Sequence, residues 1–254
     1  MRKGVGKMRS TRFLGSLALF GALATFAHGY SFLNLLYNTG VGTAGNELPT
    51  DTANLDPHYS LQSDPVVGYS QAYAVWGYGT AWDRADYVDP YTGTISYSEW
   101  ISPLWNNGQP GWVDNYSPEW FNYTLSFNLG TDIPAEIRGG WIADNGSTYY
   151  DGTLLTTQIL VNGMPTGQTI QGEGWGSWTP FALDGTYDGQ SYFQTGTNTI
   201  TFSVSNEPGG PGNPTGLRVA FTAADTAVPE PLTALGLGIG VVVRGCRRRR
   251  KPTV

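Results

Sequence analysis

The sequence predicts an all-β protein built as a single antiparallel β-sandwich of the jelly-roll type. Two segments, WFNYTLSFNL (120–129) and NTITFSVSN (198–206), alternate apolar and polar residues, the period-two pattern of strands with one buried face. The chain contains 35 glycines, 16 prolines and 13% aromatic residues, a composition typical of short strands joined by tight turns. No segment after the N-terminal region shows the periodicity of an amphipathic helix.

About ten strands at short spacing are expected, which suits a sandwich. Besides the two segments above and GLRVAFTA (216–223), weaker strands are predicted at Leu33–Tyr37, His58–Leu61, Ala72–Trp76, Glu99–Ile101, Glu136–Ile142, Leu154–Val161 and Thr179–Leu183. The dipeptides Asn145-Gly146 and Asn162-Gly163 favour positive φ and predict turns. The proline- and glycine-rich segment Glu207–Pro214 is predicted to be a loop.

The N-terminal region has the layout of a secretory signal peptide with a signal helix. Five basic residues precede an uncharged run from Phe13 to Ala27, and small residues follow it. Cleavage is predicted after Gly29, with Ala27 three positions upstream, and cleavage after Ala27 is the alternative. A buried N-terminal helix is the other interpretation, which the basic flank disfavours.

The C-terminal region predicts a short membrane helix followed by a stop signal. Leu232–Val243 is apolar or small throughout and would span about 18 Å as a helix, less than the ~30 Å hydrocarbon layer. Snorkelling and membrane thinning make a short span tolerable. A basic cluster that would stay on the cytoplasmic side follows: Arg247, Arg248, Arg249, Arg250 and Lys251. A core segment is the alternative for the apolar run.

The order of motif, apolar run and basic cluster resembles a PEP-CTERM sorting signal, whose motif here is Val228, Pro229, Glu230 and Pro231. The prolines prevent a helix and leave the motif extended. The resemblance implies a bacterial protein that is exported, held transiently in the inner membrane, processed by an exosortase, and delivered to the cell surface or extracellular matrix. It also implies an association with exopolysaccharide. The apolar run departs from the pattern by being short and ending early at Arg244.

Residues 30–227 form the predicted ectodomain between the signal peptide (1–29) and the sorting signal (228–254). Its segments SEWISP (98–103), IRGGWIADN (137–145) and FQTGTNTITFSVSNEPGGPGNPTGLRV (193–219) are similar, in order, to a pattern of many PEP-CTERM ectodomains. Those ectodomains look like galactose-binding-like or carbohydrate-binding-module jelly rolls. The resemblance implies a sandwich and suggests extracellular polysaccharide as a partner.

Charge excludes one class of partner. Between Tyr30 and Ala227 the chain has three arginines, no lysine and 19 acidic residues, a net charge of −16. Nucleic-acid binding requires cations that neutralise phosphates, so no nucleic-acid partner is expected. The acidity could equally serve solubility alone. The single cysteine, Cys246, excludes an internal disulfide and paired-cysteine zinc sites.

Three tryptophans in loop-like sequence are the candidate glycan-binding residues: Trp82, Trp105 and Trp112. Flat aromatic rings stack on the apolar faces of sugars, and loops on a rigid sandwich commonly carry binding residues. Packing in the core is the competing interpretation for each of them.

Four acids are the candidate ligands of a structural Ca²⁺, the one cofactor that the sequence suggests: Asp83, Asp86, Asp89 and Asp144. Calcium takes six to eight oxygen ligands, often from carboxylates in loops. The spacing differs from an EF-hand loop, and solvated surface acids are the alternative.

No enzyme is predicted, because no nucleophile elbow, phosphate-binding loop or metal-binding histidine pair occurs. His58 is expected to be structural. The function that the sequence predicts is an exported surface or matrix protein that binds or packs into exopolysaccharide. A structural surface protein without a specific ligand is one alternative. A glycan-degrading enzyme is the other, and it would need two carboxyl groups about 5–10 Å apart in a groove.

Overall fold

The computed structural model of the chain describes residues 33–63, 68–75, 82, 85–107, 109–110, 112–115, 119–130, 136–172, 174–184, 186–187, 190–208 and 210–225. The predicted signal helix, the membrane helix, the Pro-Glu-Pro motif and the basic cluster lie outside these ranges. Within them, no helix is both long enough and apolar enough to cross a membrane.

The described chain is all-β apart from one 3-10 turn at Leu33–Leu35. The first ten strands are β1 Tyr59–Ser63, β2 Tyr73–Val75, β3 Tyr87–Val88, β4 Ile95–Ser96, β5 Trp100–Ser102, β6 Trp105–Asn106, β7 Gln109–Pro110, β8 Trp112–Asn115, β9 Glu119–Leu129 and β10 Glu136–Asp144. The next ten are β11 Thr148–Tyr150, β12 Thr153–Leu155, β13 Thr157–Val161, β14 Met164–Ile170, β15 Thr179–Leu183, β16 Thr186–Tyr187, β17 Gln190–Ser191, β18 Gly196–Asn206, β19 Gly210–Pro214 and β20 Gly216–Asp225.

Two five-stranded antiparallel sheets form the sandwich. Sheet one has the order β1-β9-β18-β13-β14, and sheet two has the order β15-β10-β20-β5-β2. Strands β9 and β18 pair along their whole length, from Gly196 opposite Leu129 to Asn206 opposite Glu119. The predicted all-β sandwich is therefore confirmed, whereas the jelly-roll connectivity stays a prediction.

The main core lies between the sheets, where the alternating residues of both sheets meet. From Phe121 to Leu129 of β9 the apolar positions are buried and the polar ones between them are half-buried or exposed, as the alternation predicts. Trp141 of sheet two packs on Phe202 of sheet one, with ring centroids 5.6 Å apart. Phe181 and Phe221 complete the aromatic contact, each in edge-to-face geometry with Phe202. Burial of these rings holds the two sheets together.

A second apolar cluster covers the outer face of sheet two. Val75, Trp100 and Ile142 belong to it and alternate with residues of the main core along their strands. Because successive side chains of a strand point to opposite faces, this cluster lies on the face turned away from sheet one. Sheet two is thus apolar on both faces, and the segments that follow β2 and precede β15 supply its outer cover, with Trp82, Trp175 and Trp178.

Two local predictions differ from the structure, and one strand was not predicted. Leu33–Tyr37 is not a strand, because its first three residues form the 3-10 turn. Glu207–Pro214 is not wholly a loop, because β19 pairs with β8 in a separate two-stranded ribbon. Both strands of a two-stranded ribbon are edge strands, so proline, which cannot donate a backbone hydrogen bond, is tolerated there. The sequence of β14 does not alternate apolar and polar residues, so this strand was not predicted. It is identified by its pairing with β13.

The two predicted turn dipeptides have different outcomes. Asn162 and Gly163 have φ values of 49° and 78° and join β13 to β14, the positive-φ pair that a tight hairpin requires. Asn145 and Gly146 are not among the described residues with positive φ. The backbone there is packed closely instead, since a Cβ at Gly146 would overlap the carbonyl oxygen of Gly172.

Replacing Gly139 by alanine should destabilise the fold, because a Cβ there would overlap the Ala220 carbonyl oxygen and the Phe181 ring. The residue lies at a register shift between β10 and β20, where the backbone cannot easily withdraw. Gly139→Ala is expected to lower the free energy of unfolding by about 1–3 kcal/mol in urea titrations. Gly130→Ala, which meets no atom within 4 Å, is the matched control and should stay within about 0.5 kcal/mol of the unsubstituted chain. Equal effects of the two substitutions would contradict this packing account.

Candidate functional site

The outer face of sheet two carries four half-buried aromatic residues, which we call the tryptophan surface: Tyr73, Trp105, Trp175 and Trp178. They pack against the second apolar cluster and come from three separate segments of the chain. Half-buried aromatic rings keep one part in the apolar cluster and leave another part open to solvent. This is the arrangement in which a ring can both stabilise the fold and contact a ligand.

A buried pair of tryptophans supports this surface. The rings of Trp82 and Trp100 are stacked with centroids 4.3 Å apart. The Trp100 indole N–H donates to the Trp82 carbonyl oxygen at 2.8 Å, and the Trp82 indole N–H donates to Asp144 Oδ2 at 2.7 Å. Both indole donors therefore have buried acceptors, and the pair is fixed in position and orientation.

Hydrogen bonds also fix the half-buried rings. The Trp105 indole N–H donates to the Thr50 carbonyl oxygen at 3.2 Å, and the Trp178 indole N–H donates to the Ala85 carbonyl oxygen at 2.8 Å. The Tyr73 hydroxyl donates to Gln71 Oε1 at 2.7 Å. Rings held in this way lose little conformational entropy when a ligand stacks on them.

A buried arginine of β20 lies beside Trp178. The Arg218 Cζ atom is 5.1 Å from the Trp178 ring centroid, and its Nη2 donates to Asp86 Oδ1 at 2.9 Å. Burial lowers the pKa of the guanidinium, while the charges of Glu99, Asp86 and Glu47 act in the opposite direction. Burial likewise raises the pKa of Glu99, and the charge of Arg218 opposes that rise.

The structure places the three predicted glycan-binding tryptophans differently. Trp82 is only 2% exposed and has no free face for a sugar, so its assignment as a binding residue is corrected to a packing role. Trp105 belongs to the tryptophan surface. Trp112 lies in β8, where its backbone is opposite Pro214.

Tyr73 of this surface was not predicted as a binding residue, and neither were two of its tryptophans, Trp175 and Trp178. They lie in the segment GWGSW (174–178), where glycine and serine separate the tryptophans. The criterion that selected Trp105, an aromatic residue within loop-like sequence, would have found them as well. Their contact with the distant Trp82–Trp100 pair could not be deduced from sequence spacing.

The three described candidates for calcium ligands, Asp86, Asp89 and Asp144, are not brought to a common site. Asp86 is paired with Arg218, Asp144 accepts from Trp82, and Asp83 lies outside the described residues. Asp89 is buried and accepts hydrogen bonds from the backbone N–H groups of Tyr91 and Thr92 and from the Thr222 hydroxyl. The described ranges contain no group of three histidine, cysteine, aspartate or glutamate side chains arranged to hold a metal ion. Calcium binding stays a prediction, without these residues as a shared ligand set.

The hydrogen bonds that Asp89 accepts stabilise the fold. Burial acts to raise the pKa of this carboxyl, but the bonds from the Thr222 hydroxyl and from the Tyr91 and Thr92 backbone outweigh burial and hold the pKa below its ordinary value. Because Thr222 belongs to β20, the ionised Asp89 ties the β3–β4 hairpin to sheet two.

His58 and its neighbour Asp56 also serve the local fold. The His58 ring is stacked on Tyr37 with centroids 3.5 Å apart, and its Nε2 lies 3.2 Å from the Gly42 carbonyl oxygen. Asp56 accepts hydrogen bonds from three backbone N–H groups, those of Gly40, His58 and Tyr59. Burial raises the pKa of Asp56 even so.

A cleft of about 520 Å³ lies near the β3–β4 hairpin, apart from the residues of the tryptophan surface. Its apolar lining includes Leu36, Val41 and Phe221. Tyr97, which is 60% exposed, and Glu47 also line it. Its volume is within the range of small-ligand sites, but it contains a single well-exposed aromatic ring.

Comparison with known proteins finds distant structural likenesses. The sequence matches no known protein family. It matches no curated protein either. One similar solved structure is TmCBM61 in complex with β-1,4-galactotriose, with 11% identity and a TM-score of 0.35 over 66% of this chain and 88% of that one. Another is a family 35 carbohydrate-binding module from an environmental isolate, with 17% identity and a TM-score of 0.23 over 66% of this chain and 98% of that one. Likenesses as distant as these do not by themselves assign a function to the chain.

Proposed function

We propose that this protein binds glycans through the tryptophan surface. The observation that carries the proposal is that Trp105, Trp175 and Trp178 are all half-buried on one face, with the indoles of Trp105 and Trp178 fixed by hydrogen bonds. Sugar rings have apolar faces that stack on such indoles, and their hydroxyl groups need polar partners at the edge of the stack. Gln71 and Asp86 provide amide and carboxylate groups beside the aromatic rings.

The proposed setting is extracellular, with exopolysaccharide as the partner. The sequence features that support it are the basic and apolar N-terminal segment and the ordered C-terminal motif, apolar run and basic cluster. In this proposal the chain is exported, held transiently in the inner membrane, and processed by an exosortase near Pro229-Glu230-Pro231. The sandwich then reaches the cell surface or the matrix.

A structural surface protein without a specific ligand is the second candidate. The complete burial of Trp82 and Trp100 favours it, because these two rings serve the fold alone. A glycan-degrading enzyme has less support. Of the described acids, Asp56, Asp89 and Asp144 are buried and accept hydrogen bonds from neighbouring groups. A hydrolytic pair needs one acid available to protonate the leaving oxygen.

Removal of a ring from the tryptophan surface should weaken polysaccharide binding. Trp105→Ala, Trp175→Ala and Trp178→Ala are each expected to reduce retention about tenfold in native gels that contain neutral polysaccharides, since each removes one stacking partner. Galactans, glucans, mannans and xylans form the panel, each run with Ca²⁺ and with a chelator. Trp178→Phe, which keeps a ring, should lose less.

Tyr149→Ala is the matched control, because Tyr149 is an aromatic residue that is 74% exposed on the separate β11–β12 hairpin. It should bind as the unsubstituted chain does. Thermal unfolding of each variant separates lost binding from lost folding. Failure of the unsubstituted chain to be retained by any polysaccharide in either buffer would reject glycan binding and favour the structural candidate.

Sorting is tested by the mass of the mature protein in a host that contains an exosortase. The unsubstituted chain should lack the residues beyond the motif, whereas the triple substitution Pro229→Ala, Glu230→Ala and Pro231→Ala should keep them. Pro252→Ala, a proline in the same tail but outside the motif, should be processed normally. A mature unsubstituted protein that still ends at Val254 would contradict the sorting proposal.

A further inference from the structure

Among the described residues, Arg218 is the arginine that lies beside the tryptophan surface, and it is used within the fold. Arg218 Nε donates to the Ser98 carbonyl oxygen at 2.9 Å and to Ser98 Oγ at 3.1 Å, while Nη2 donates to Asp86. Its side chain is only 6% exposed, and its guanidinium lies against the Trp178 ring. These contacts join three segments of the outer layer to β20, so the guanidinium is not available to an arriving anion.

Other cations are scarce around this surface. The described part of the chain contains one further arginine, Arg138, and its Nε lies 3.6 Å from Glu136 Oε2. Residues 30–227 contain no lysine, and the third arginine of that span, Arg84, lies outside the described residues. Recognition of a carboxylate or sulfate normally uses arginine or lysine donors, and each of the two described arginines already lies within ion-pair distance of a carboxylate of this chain.

Within the tryptophan surface, the indoles of Trp105 and Trp178 have known acceptors, and an acidic residue directly follows each acceptor in the sequence. The Trp178 indole is bonded to Ala85, and the following residue is Asp86, whose side chain is 34% exposed. The Trp105 indole is bonded to Thr50, and the following residue is the exposed Asp51. Arg218 offsets the charge of Asp86, whereas Asp51 forms no ion pair among the described residues, so a ligand stacked on Trp105 meets negative charge at its edge. Like charges at this range repel, and because Asp51 is exposed the repulsion is screened by salt.

We infer that the tryptophan surface selects uncharged glycans and excludes polyanionic ones. The inference rests on the proposed glycan binding and adds the chemical class of the ligand. Neutral sugar hydroxyls can donate to carboxylates such as Asp51 and Asp86, whereas uronate or sulfate groups cannot. The acids that repel a polyanion are thus suitable partners for a neutral polysaccharide.

The test compares one polysaccharide in two charge states. A neutral polysaccharide that retains the full-length chain in mild detergent is oxidised at its C6 hydroxyls to the polyuronate, and both forms are cast in native gels. At low ionic strength the oxidised form should retain the chain at least about tenfold more weakly. In 0.5 M salt, where charges beyond a few ångströms are screened, the difference should shrink to about threefold or less.

A substitution separates charge from the lost hydroxyl. Asp51→Asn should recover part of the retention by the oxidised form, whereas Asp151→Asn, an exposed acid at the β11–β12 turn, should not. Equal or stronger retention by the oxidised form at low salt would overturn the inference. Weaker retention of the oxidised form that neither salt nor Asp51→Asn changes would also overturn the inference. The weaker retention would then come from the loss of the C6 hydroxyl group and not from charge. If neither form retains the chain, the proposed function itself fails and the inference with it.

Discussion

The stacking of Trp82 on Trp100 over the outer face of sheet two is the contact on which the rest of that layer depends. Val75 and Ile142 make this face apolar, so it needs a cover as much as the inner face does. The Trp82 indole donates to Asp144 at the end of β10 and so anchors Trp82 to the sheet. Without this pair, the half-buried aromatic residues would keep only Val75 and Ile142 of the apolar cluster that they pack on.

The candidate site is a consequence of that covering layer. Trp175 and Trp178 come from the segment GWGSW (174–178), which is rich in glycine and leaves both rings only partly covered. Trp105, Trp175 and Trp178 therefore stay half-buried, while backbone carbonyl oxygens satisfy the indole N–H groups of Trp105 and Trp178. Arg218 ties the same segments to β20 from below. A surface built for packing in this way keeps partly exposed aromatic rings fixed in place, which is what the proposed glycan binding requires.

The sequence was sufficient for the sandwich because its long strands have a clear period of two. Burial follows the alternation from Phe121 to Leu129 of β9 and from Thr199 to Phe202 of β18, whereas the last residues of β18 are buried on both faces. The site was only partly predictable. Composition identifies loop tryptophans as a class, but exposure depends on contacts between distant segments, which is why Trp82 is buried and Trp105 is not fully so. The contacts of the candidate calcium ligands could not be predicted for the same reason. Asp86 and Asp89 have their partners, Arg218 and Thr222, on β20, more than a hundred residues away.

Nuclear magnetic resonance of the indole N–H groups tests glycan binding at the tryptophan surface most directly. In a titration with an oligosaccharide of a retained polysaccharide, the signals of Trp105, Trp175 and Trp178, assigned with single Trp→Phe variants, should shift together. The signals of the buried Trp82, Trp100 and Trp141 should shift far less. Shifts confined to Trp112 or Trp120, with those of the surface unchanged, would contradict the site.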